Sequence, residues 1–128
     1  MNMTQDDHAA VGRLLKARWR GLAGRAGLVK EGRGYWVLPP GKTIKDVPEL
    51  VRAWAFAGLD VEAMPKSFAI FEARLITAWG RRLVERVEAR PDGVAAGIYD
   101  EVVKQISFPD YVDGSTLGEL PSGKGVLQ

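Results

Sequence analysis

The only imidazole in the chain, His8, stands beside Asp6 and Asp7 near the start of the sequence. A metal site or general base built on these three would need a second histidine and a rigid frame. They are read instead as the solvated first turn of a helix. The chain has no cysteine, which excludes disulfides, thiolate nucleophiles and cysteine-ligated metals. With the lone histidine at the start of the chain, no Ser-His-Asp arrangement is expected, and Ser67, Ser107, Ser115 and Ser122 read as caps and turns. Glu85 and Glu88 lie one helical turn apart among Arg81, Arg82 and Arg86, the pattern of an ion-paired solvent face. Asp100 and Glu101 are adjacent and diverge on a helix, and Asp110 and Asp113 lack further ligands. Gly41, Lys42 and Thr43 end a segment like a phosphate-binding loop, but Trp36 stands where that loop needs its first glycine. These residues together imply no catalysis, no cofactor and no metal.

Charge gives a stronger signal. The chain carries 18 basic and 16 acidic residues in 128, a net charge of +2. Residues 8–45 hold nine basic side chains and one acid, Glu31, whereas residues 46–128 hold nine basic and thirteen acidic ones. A basic first third on an acidic remainder suits an anionic partner, or contact between the basic part of one copy and the acidic part of another. Arg13, Lys16, Arg20, Arg25, Lys30 and Arg33 are the candidate phosphate contacts, with Trp36 or Tyr35 as a base-stacking aromatic. Tyr35 and Trp36 are adjacent in a β-prone run, so one of them faces outward.

The run from Gly27 to Leu38, two short β-prone pieces about a glycine-rich turn, resembles the wing hairpin of winged-helix regulators. The basic helix before it adds to the likeness. The resemblance covers about a quarter of the chain and implies nucleic acid as a partner. Gly24 and Gly27 have the spacing of the backbone-clamping loop of RNA-binding KH domains, but without that fold's surrounding frame they read as the end of a helix.

The elements that must position these groups follow from periodicity. Thr4 and Asp7 form a capping signal for a helix over about residues 5–20, with Val11, Leu15, Trp19 and Leu22 on its apolar side. Gly21, Gly24 and Gly27 are expected to end it. A hairpin follows at about 27–38, closed by Pro39 and Pro40. Asp46 and Glu49 signal a short helix through Val47, Leu50, Val51 and Trp54, closed by Gly58. Phe68, Phe71, Leu75, Ile76, Trp79, Leu83 and Val87 predict a long helix over about 66–90, with Gly80 a point where it can bend. After Pro91, Asp92 and Gly93, the residues Val94, Ile98, Val102 and Ile106, widened by Tyr99 and Val103, predict a last helix antiparallel to it.

The expected fold is mainly α: about four helices, two of them a long antiparallel pair, with one small β-hairpin. A single domain is expected over 1–108 and an extended C-terminal arm over 109–128. No run is long and apolar enough for a membrane helix, and no secretory signal is evident, so a cytoplasmic location is expected, or a virion for a phage protein.

Three functions are compatible with this. The first is a non-catalytic assembly or adaptor subunit forming homo-oligomers. It would use its helices and arm, with Tyr35, Trp36, Phe108, Tyr111, Leu117 and Leu120 at interfaces. Small subunits of phage virions or secretion machines have this general form. The second is nucleic-acid binding, DNA or RNA, through the basic helix and hairpin. The third is an inhibitor or regulator docking on one partner protein.

Overall fold

A computed structural model describes residues 3–33 and 35–107. Its elements are α1 (Gln5–Arg25), β1 (Val29–Glu31), β2 (Tyr35–Val37), α2 (Pro48–Phe56), α3 (Phe68–Glu88) and α4 (Val94–Ser107), with 3-10 turns at Ile44–Asp46 and Val61–Ala63. The fold is mainly α with one antiparallel hairpin.

α1 begins at the expected capping box: Thr4 Oγ1 accepts from the Asp7 amide at 3.0 Å, and the Asp7 carboxylate accepts from the Thr4 amide at 2.9 Å. It runs a full turn past the expected end. Gly21 and Gly24 lie inside it, because burial of Trp19, Leu22 and Ala23 offsets about 1 kcal/mol lost per helical glycine. Gly27, at φ 74°, is the true terminator. The Leu28 amide donates to the Ala23 carbonyl and the Gly27 amide to that of Gly24, the paired bonds of a Schellman motif. Gly58, at φ 81°, closes α2 in the same way, with Leu59 donating to Trp54 and Gly58 to Ala55.

The hairpin pairs Val29 with Val37, Lys30 with Trp36 and Glu31 with Tyr35. Asp46 does not cap α2. It closes a box with Thr43 over the 3-10 turn, accepting from the Thr43 amide at 2.8 Å and hydroxyl at 2.9 Å. Those bonds hold its carboxyl below the usual carboxylate range. α2 then starts at Pro48, where a missing amide costs nothing.

Two apolar clusters fill the interior. The larger joins the C-terminal half of α1, α2 and the N-terminal half of α3 through Trp19, Leu22, Leu50, Trp54, Phe71, Leu75 and Trp79. Trp54 stacks on Phe71 at 5.1 Å between ring centroids, and its indole donates to the Asp60 carbonyl at 2.8 Å. The smaller joins the start of α1, the end of α3 and the start of α4 through Val11, Leu14, Leu83, Val87, Val94 and Ile98. α3, 21 residues and about 32 Å long, serves both clusters. It continues through Gly80, which is a point of close approach: a β-carbon there would lie 3.2 Å from Leu15 of α1. Gly97 does the same between α4 and α3, where a β-carbon would sit 3.0 Å from the Val87 side chain.

The expected apolar stripe of α4 divides. Val94 and Ile98 are buried, but Tyr99, Val102, Val103 and Ile106 are exposed. The reason is geometric: a step of four residues overshoots a 3.6-residue turn by about 40°. The row Val94, Ile98, Val102 and Ile106 therefore winds off the core, while Gly97 and Glu101 take the inward positions.

Candidate functional site

Three helices meet around one buried ion cluster. Arg18 of α1 is 0% exposed, and its guanidinium lies 5.7 Å from the centre of the Trp79 ring on α3. Its Nη2 is 3.9 Å from Oε1 of Glu101 on α4, itself only 4% exposed. Arg86 of α3 donates to the same Oε1 at 3.1 Å, and Lys104 Nζ stands 3.8 Å from Oε2. A buried charge of one sign is costly without its opposite. The cluster therefore fixes how α4 is rotated against α1 and α3. Arg90 adds a second tie at the α3–α4 joint, gripping Asp92 through two nitrogens and pairing with Asp100. Those bonds raise the Arg90 pKa above its ordinary value and lower that of Asp92.

With Glu101 turned inward, the opposite side of α4 is set. Tyr99 is 69% exposed and Ile106 76% exposed, with Val102 and Val103 between them. These four occupy an arc of about 100° centred opposite Glu101. They form an apolar ridge on a helix whose other face is already packed.

The basic residues sort differently. Arg13, Lys16 and Arg20 are exposed and share one side of α1, within an arc of about 60°. Lys30 and Arg33 are exposed on the hairpin, whereas Arg25 is half-buried with its Nε and Nη2 enclosed. Trp36 is half-buried and packs on the larger cluster, with Lys30 Nζ 5.8 Å from its ring centre. Tyr35 is the outward aromatic, 70% exposed. Phe108, Tyr111, Leu117, Leu120 and the arm 109–128 lie outside the described residues.

Sequence reasoning missed Arg18 and Glu101, although a signal existed. Arg18 is four residues after Leu14 and four before Leu22, and Glu101 is three after Ile98 and seven after Val94. Each sits on its helix's apolar stripe, where a charge needs a partner. Glu85 and Glu88 are exposed on α3, as a solvent face requires. Among the described residues, no three His, Asp or Glu side chains gather in a way that could hold a metal ion. No helix among them is long and apolar enough to cross a membrane. Comparison with protein-family models, with curated proteins and with solved structures finds no match to the chain.

Proposed function

We propose that the protein is a non-catalytic assembly or adaptor subunit that pairs with a second copy of itself through α4. The observation that carries this reading is the exposed ridge of Tyr99, Val102, Val103 and Ile106. Its spacing is symmetric about the midpoint between Val102 and Val103. A two-fold axis through that point lays two α4 helices antiparallel, with Tyr99 against Ile106 of the other copy and Val102 against Val103. This is the self-complementarity that a two-fold interface requires. A contact made by two single helices is small beside a standard interface of roughly 1,600 Å², so the pair is expected to be concentration-dependent. The arm at 109–128 would extend the contact.

Light scattering coupled to size exclusion, over a range of loading concentrations, tests the reading. The expected mass rises toward twice the monomer. Tyr99→Lys combined with Ile106→Lys is expected to hold it at the monomer, with helicity by circular dichroism unchanged. A wild-type chain that stays monomeric at high concentration, or a dimer that survives the double substitution, refutes it.

The exposed row Arg13, Lys16 and Arg20 favours a second reading, nucleic-acid binding on α1 and the hairpin. Five phosphate contacts, including Lys30 and Arg33, would give a log–log salt slope of about −4 to −5 on duplex DNA. Binding that is flat with salt removes that reading.

A further inference from the structure

Beyond the hairpin, the chain turns at Pro39, Pro40 and Gly41, where the Lys42 amide donates to the Pro39 carbonyl at 3.1 Å and Gly41 adopts φ 78°. This turn, the 3-10 turn after it and the segment leading into α3 enclose a groove of about 490 Å³. Leu38, Met64 and Pro65 give it an apolar wall, and Lys42, Lys45 and Lys66 also line it. No acidic side chain lines it. Asp46, next to Lys45 in the chain, is engaged by the amide and hydroxyl of Thr43 and also feels the charge of Lys42.

The three lysines differ from the cations packed around the α3–α4 joint. Arg18, Arg86, Arg90 and Lys104 each have a carboxylate within 4 Å. Among the described residues, none of Lys42, Lys45 and Lys66 makes such an ion pair. Three positive charges on one concave surface, against the single carboxylate of Asp46 whose pKa Lys42 helps to lower, attract a multivalent anion. Lysine meets phosphate as a point charge and needs no fixed fork geometry. The volume falls within the range of small-molecule sites, roughly 300–1,000 Å³. A bare phosphate would leave the apolar wall unused, so the shape calls for a phosphate ester with an apolar or flat organic body.

We infer that this groove binds a phosphorylated small molecule, its phosphates meeting Lys42, Lys45 and Lys66 and its organic body resting on Leu38, Met64 and Pro65. The site is not a phosphate-binding loop of the nucleotide-hydrolase kind, since a 3-10 turn and not an α-helix follows Gly41, Lys42 and Thr43. It is independent of the α4 ridge.

Isothermal titration at low salt, using metal-free ATP, inorganic triphosphate and adenosine as probes, tests the inference. ATP is expected to saturate, triphosphate to bind more weakly, and adenosine more weakly still. A combined Lys42→Gln, Lys45→Gln and Lys66→Gln variant, changed only at exposed positions, is expected to lose about tenfold or more in ATP affinity, as charge-assisted contacts imply. Arg74→Gln with Arg81→Gln, exposed on α3 away from the groove, is expected to leave it unchanged. The inference is overturned by absence of ATP binding at millimolar concentration, or by binding that the triple variant retains. It is equally overturned if a single-stranded oligonucleotide, and not ATP, binds in a way the three lysines control.

Discussion

Replacing Glu101 by leucine tests whether the buried ions hold the three long helices together. The change leaves the Arg18 guanidinium 0% exposed and removes the carboxylate 3.9 Å away. Breaking a buried pair from one side costs about 3–5 kcal/mol, because the remaining charge stays desolvated. For a chain of this size that corresponds to a fall in Tm of about 12–20 °C. Arg18→Met should cost less, about 1–2 kcal/mol. It keeps most of the apolar stem against Trp79, and Glu101 retains Arg86 at 3.1 Å and Lys104 at 3.8 Å. The double variant should be more stable than Glu101→Leu alone, since it also removes the buried cation that lost the Glu101 carboxylate. Urea denaturation followed by circular dichroism, on wild type, both single variants and the double, closes the cycle. A coupling of about 1 kcal/mol or more is expected for residues in one network. The reasoning is refuted if Glu101→Leu costs under about 1 kcal/mol, or if the double variant loses the sum of the two singles.

Other outcomes follow from particular contacts. Gly97→Ala should destabilise by about 1–3 kcal/mol in the same denaturation assay, because its β-carbon would meet Val87 side chain at 3.0 Å and backbone at 3.1 Å. Gly12→Ala, on exposed α1 with nothing within 4 Å of the new carbon, should instead stabilise by about 0.5–1 kcal/mol. Equal effects at the two sites would contradict the close packing of α4 on α3. The Thr43–Asp46 box makes the folded carboxyl a stronger acid than the unfolded one. Its stabilisation is complete above the unfolded pKa and lost as pH falls through the folded one. Asp46→Asn should therefore flatten the acid limb of a Tm-against-pH profile, and an unaltered limb would remove Asp46 from the acid response.

Much of the local structure was legible in the residues. The Thr4–Asp7 box, the closing glycine of α2 and the three-or-four spacing from Phe68 to Val87 depend on contacts within a few positions of one another, so short-range chemistry suffices to place them. The end of α1 was not legible, because helix propensity charges for Gly21 and Gly24 locally while the compensating burial of Leu22 and Ala23 comes from distant elements. Asp46 was assigned to the wrong helix because Thr43, three residues before it, offered a competing box. Of the basic candidates, exposure on one side of α1 followed from angular spacing, but which aromatic of the hairpin faces outward did not. The choice of Tyr35 depends on which side of the two-stranded sheet packs on the helices.

By itself, then, the sequence determined a helical chain with one hairpin, strong local caps and a basic first third. These come from propensity, periodicity and composition, which act along the chain. Tertiary structure decided the burial of Arg18 and Glu101, the exposure of Tyr99 and Ile106, and the gathering of Lys42, Lys45 and Lys66 around one groove. Each of these is a question of which side of an element meets another, and a helical stripe leaves that open within tens of degrees. On α4 the difference between a four-residue spacing and a 3.6-residue turn is enough to carry half the apolar row from the core to the surface.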